Sequence, residues 1–78
     1  MKLIETTHEV IKGNWVYRIH ADLINSKYII KCVPIDHVAW HHCGYMRIWD
    51  GKKFDIALQA EICRLSSFEE CEAIIAAQ

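Results

Sequence analysis

Five soft-donor side chains, Cys32, His37, His41, His42 and Cys43, fall within twelve consecutive residues. Imidazole and thiolate are the groups that hold zinc and related ions. If residues 34–43 are helical, His37 and His41 stand four apart on one face and can reach a single ion. Cys32 or Cys43 would add a thiolate, making a small zinc site the metal-binding reading of this chain. The pattern lacks C-x-x-C, a second ligand pair at zinc-finger distance, and a Glu between the two histidines. The competing reading is structural: histidines solvated or bonded within a loop, and cysteines serving as small apolar side chains. Cys43 with His41 or His42 is a nucleophile–base pair by type. No Asp or Asn is evidently placed to orient the imidazole, so no catalytic residue is assigned and the chain reads as non-enzymatic.

The elements that must position these residues follow from hydrophobic period. Trp15, Tyr17, Ile19 and Ala21 alternate with Val16, Arg18 and His20, a strand with one buried face. Tyr28, Ile30 and Cys32 alternate with Ile29, Lys31 and Val33 in the same way. Leu3 to Ile11 is rich in β-formers, and Lys12-Gly13-Asn14 and Asn25-Ser26 supply turns. Three antiparallel strands in a meander follow, and Pro34, having no backbone donor, ends the third. Residues 34–43 read as a short helix or as a loop. Tyr45 to Trp49 is strand-like, and Asp50-Gly51 marks a hairpin. Phe54, Ile56, Leu58, Ala60 and Ile62 alternate as a strand running to about Arg64, although a helical stripe through Phe54, Leu58, Ile62 and Leu65 fits too. Ser67-Phe68-Glu69-Glu70 fits a capping box opening a helix whose buried face is Phe68, Cys71, Ile74 and Ile75, with its end near Ala77. The expected architecture is a single α+β domain: an antiparallel sheet of four to five strands, meander plus hairpin, with a C-terminal helix on one face.

Composition narrows the function classes. The chain has 78 residues and a net charge of -1. Residues 1–53 carry eight Lys/Arg against five Asp/Glu, and residues 54–78 carry one Arg against five acids. Neither half has the dense basic track of a phosphate-following surface, which disfavours direct nucleic-acid binding. The start of the chain lacks an apolar run of signal-peptide length, and no stretch reaches membrane-span length, so a cytoplasmic protein with reduced thiols is expected. Phosphate loops, paired catalytic carboxylates and cofactor fingerprints are missing, and no cofactor is expected apart from zinc in the metal reading.

What remains is a charge-polarised binding protein. Trp40, flanked by His41 and His42, is an interface-anchor candidate. Glu69, Glu70 and Glu72 form an acidic helix surface that can dock on a basic partner. In size and α+β layout, without a shared motif, the chain is similar to small inhibitors encoded by phages and mobile elements, anti-CRISPR proteins among them. That similarity implies a viral-type protein that occludes a host nucleic-acid-processing complex, with the three glutamates facing its basic surface. A further reading is a weak nucleic-acid binder using the sheet aromatics with Arg18, Lys31 and Arg47. A sheet of this kind also has two edges, one of which can pair across a two-fold axis to make a homodimer.

Overall fold

The computed structural model describes residues 4–37 and 44–78. Five strands form one sheet in the order β1-β2-β3-β4-β5, every neighbour antiparallel. They are β1 (Ile4–Lys12), β2 (Trp15–Asp22), β3 (Lys27–Pro34), β4 (Arg47–Trp49) and β5 (Phe54–Ile56), followed by the helix α1 (Phe68–Ala76). The α+β meander with a C-terminal helix expected from the periodicity is the architecture observed. No helix among the described residues is long and apolar enough to cross a membrane.

The turns follow their local chemistry. Gly13 takes a φ of 59° and Gly51 a φ of 103°, left-handed conformations in which a side chain is strained. Ser26 also adopts a positive φ, 53°, in the β2–β3 turn. Pro34 is the last residue of β3, and the chain turns at once into a 3₁₀ segment, Ile35–His37. Ile35 N–H donates to the Asn14 carbonyl at 2.8 Å, fixing that exit against the β1–β2 turn. Of the alternatives for residues 34–43, the structure shows this short 3₁₀ turn at the start, and residues 38–43 lie outside the described residues.

The core lies between the sheet and α1. Tyr17, Ile19, Ile30, Cys32, Cys71 and Ile75 are its buried members, and Ile19 and Ile30 face each other across β2 and β3. Burying an isoleucine completely stabilises by about 1.5–3 kcal/mol, so this central pair is a large term for so small a domain. Phe68 and Ile74 complete the helix face as expected. Phe68 meets His8 and Tyr28 edge-on, at centroid distances of 5.5 and 6.2 Å. The opposite face differs from the one-buried-face expectation. Val16, Ile29, Val33 and Ile48 are buried there, and His20 is only 9% exposed.

Both ends of α1 are capped. Ser67 is the N-cap in extended conformation, and its Oγ accepts from Glu70 N–H at 3.2 Å. The last turn has no basic residue of its own. The ammonium of Lys12, at the end of β1, donates instead to the carbonyls of Ile75 (3.1 Å), Ala76 (2.8 Å) and Gln78 (3.0 Å). A cation there satisfies orphan carbonyls and opposes the negative end of the helix dipole.

The long strand expected from Phe54 to about Arg64 is not present. β5 stops at Ile56, and the N–H groups of Gln59 and Ala60 both fold back to its carbonyl at 2.9 Å. The physical reason is the short partner: β4 has three residues, so the ladder runs out whatever the alternation beyond it. The residues that follow, Ala57-Leu58-Gln59-Ala60-Glu61, include no β-branched side chain to favour continuing. The chain then returns along the sheet. Cys63 N–H reaches the Trp49 carbonyl at 3.1 Å, and Leu65 exchanges two backbone bonds with Tyr28 at 2.7 and 2.8 Å. Leu65 thereby occupies a stretch of β3 edge that β4, paired only at Lys31 and Cys32, leaves open.

Candidate functional site

The register places Trp15 and Tyr17 of β2, Cys32 of β3 and Arg47 of β4 on the helix face of the sheet. Tyr17 lies opposite Cys32, and Cys32 opposite Arg47. Trp49 and Phe54 are partners across the β4–β5 ladder. Beyond the end of α1, these residues line an open groove of about 290 Å³, with Lys52, Lys53 and Gln78 at its margin. Its aromatic wall is tightly built. Phe54 sits 5.3 Å from Tyr17 and 5.1 Å from Trp49, ring centre to ring centre, with interplanar angles of 61° and 57°. The Arg47 guanidinium lies 5.4 Å from the Trp15 ring centre, a cation–π contact.

The β4–β5 turn supplies the rest of the charge. Asp50 Oδ1 accepts the backbone N–H groups of Lys52 (2.8 Å) and Lys53 (2.9 Å), closing the turn around Gly51. Those two bonds hold the Asp50 carboxyl below the usual carboxylate range, with the nearby lysine charges adding a smaller effect. The carboxylate is thus committed to the turn backbone, while both lysines line the groove. Among the described residues the lining includes Arg47, Lys52 and Lys53 and no acidic side chain. Burial pushes the Tyr17 phenol upward, with Cys32 a smaller cause, so the phenol stays neutral.

The residues singled out by sequence are placed as follows. Cys32 is 2% exposed, and burial pushes its thiol up to about 11, partly opposed by the Arg47 charge. His37 closes the 3₁₀ turn, while Trp40, His41, His42 and Cys43 lie outside the described residues. Among the described residues no group of three or more His, Cys, Asp or Glu side chains could hold a metal ion. Glu69, Glu70 and Glu72 are exposed on α1, and no ion pair among the described residues involves them. Arg18, counted earlier among sheet cations, is paired with Glu9 at 2.6 Å. Lys31 faces away from the groove, and burial lowers its ammonium pKa.

Lys52, Lys53 and Phe54 were not anticipated as members of a site. The available signal was Trp49-Asp50-Gly51-Lys52-Lys53-Phe54: a hairpin turn with two cations and an aromatic at each end.

No protein-family model, curated protein or solved structure matches the chain.

Proposed function

We propose that this chain is a non-enzymatic binding protein that acts by surface complementarity, in the manner of small phage- or mobile-element-encoded inhibitors that occlude a host nucleic-acid-processing complex. The observation that carries the reading is the outer side of α1. Cys71 and Ile75 point into the core, whereas Glu69, Glu70 and Glu72 are all exposed within one turn. Carboxylates so arranged complement a basic surface where nucleic acid normally lies, steering association and fixing orientation. A second feature supports contact with a macromolecule. Leu58, at the turn after β5, is 96% exposed, and Ile56 and Ile62 nearby in sequence are 40% and 41% exposed. An apolar side chain held so far into water is the type of anchor that a partner's pocket desolvates.

The test is affinity capture from a host lysate with wild-type protein and two variants, Glu69→Lys/Glu72→Lys and Leu58→Asp. The expected outcome is recovery of a nucleic-acid-processing complex by the wild type. Recovery should weaken with added salt and be lost in the charge-reversed variant. Capture indifferent to both salt and charge reversal contradicts the mechanism.

A further inference from the structure

We propose that the groove formed by Trp15, Arg47, Trp49, Lys52, Lys53 and Phe54 binds one nucleotide unit, its base against the aromatic wall and its phosphate at the three cations. Three observations converge on that ligand. The wall is aromatic on several sides, and a base is a planar π-face that stacks on such rings with little regard to sequence. The rim carries Arg47, Lys52 and Lys53 and, among the described residues, no acidic side chain lines it; Asp50, bonded to the turn backbone beside it, offsets only part of that positive charge. A guanidinium in cation–π contact with an indole still has N–H groups to offer a phosphate, while ammonium groups add point charge.

Size limits the occupant. A groove of about 290 Å³ lies at the small end of ligand sites. It accommodates a single base with its phosphate and asks for no extended basic track, consistent with the overall charge of -1. An acidic peptide would match the cations but make no use of the aromatic surface that lines the rest of the groove. The nucleotide uses both halves of the groove.

The experiment is a titration of fluorescein-labelled dT10 at low salt, with thymidine monophosphate, inorganic phosphate, an abasic decamer and a polyglutamate peptide as competitors. Binding of dT10 is expected, with log K falling against log salt at a slope of about -0.7, as one neutralised phosphate on a single strand requires. The Lys52→Ala/Lys53→Ala variant should bind at least tenfold more weakly while melting at the wild-type temperature. Glu61→Gln, an exposed carboxylate outside the groove lining, should bind as the wild type does. Competition by thymidine monophosphate identifies a free nucleotide as sufficient; binding by dT10 without that competition identifies the nucleotide within a strand. Either supports the site. It is overturned if dT10 does not bind, if the double variant binds equally well, or if the abasic decamer or polyglutamate competes as strongly as unlabelled dT10.

Discussion

Two regions of the sheet, the β2–β3 hairpin and the groove, treat charge in opposite ways. At the Asp22 end the carboxylate is saturated. Asp22 takes Arg64 Nε at 3.0 Å and Asn25 Nδ2 at 2.7 Å, and its other oxygen accepts from the N–H groups of Ile24 and Asn25 at 3.2 and 3.3 Å. Its side chain is 8% exposed, and the Asn25 bond, followed by Arg64, lowers its pKa to about 2. Lys27, in the same hairpin, reaches Ser66 Oγ at 3.1 Å. In the groove, three cations face no acidic lining side chain among the described residues. Charge that is fully partnered within the chain holds the fold. Charge left facing an open groove is available to something else.

Substitutions should separate the two regions sharply. Asp22→Ala is expected to cause the largest loss, with Tm falling by roughly 10 °C, because it strands Arg64 and two turn N–H groups at once. A change of only a degree or two by calorimetry would mean the hairpin network is ornamental. Acid should act on the same end and on the second sheet face. Burial, with Lys31 and Arg18 adding, lowers the His20 pKa from 6.5 to about 4. The unfolded chain therefore binds that proton first, and stability is lost as pH falls from about 6.5 towards 4. Asp22, depressed to about 2, contributes a further loss only below its unfolded value near 4. Thermal melts across pH 2–8 should show both windows, and His20→Gln, if it folds, should flatten the upper one.

Smaller effects sharpen the contrast around the groove. Lys12→Met removes two bonds to the last turn of α1 and a third to Gln78 just beyond it, a loss of about 1–2 kcal/mol read as a lower denaturant midpoint with an unchanged slope. Lys52→Ala/Lys53→Ala should move stability by no more than about 0.5 kcal/mol, since both side chains are exposed. A large destabilisation there would make the groove lysines structural and erase the distinction between the two regions.

Much of the fold was legible in the sequence because its signals are local. The alternation from Trp15 to Ala21, the Asp50-Gly51 turn, Pro34 as a stop and Ser67 as a cap each act within a few residues. The extent of β5 was not legible, because it depends on the length of β4 across the sheet. The helix C-cap was hidden for the same reason: its cation, Lys12, is more than sixty residues away in sequence. Burial of His20 could not be read from alternation, which assigns a side chain to a face without showing whether that face is covered. The groove illustrates the limit best. Trp15, Arg47 and Lys52–Phe54 are dispersed in sequence and meet only through a register that links β2 to β5. The Cys32–Cys43 cluster was conspicuous by composition, yet its one member with a described side chain, Cys32, is a core residue.

The most direct test of this division is an amide and indole chemical-shift map of ¹⁵N-labelled protein titrated with dT10. The account predicts perturbations concentrated at the Trp15 and Trp49 indole N–H groups and the Lys52 and Lys53 amides, with Asn25, Ser26 and Lys27 unmoved. Perturbations centred on the Asp22 hairpin, or none up to millimolar ligand, would contradict it.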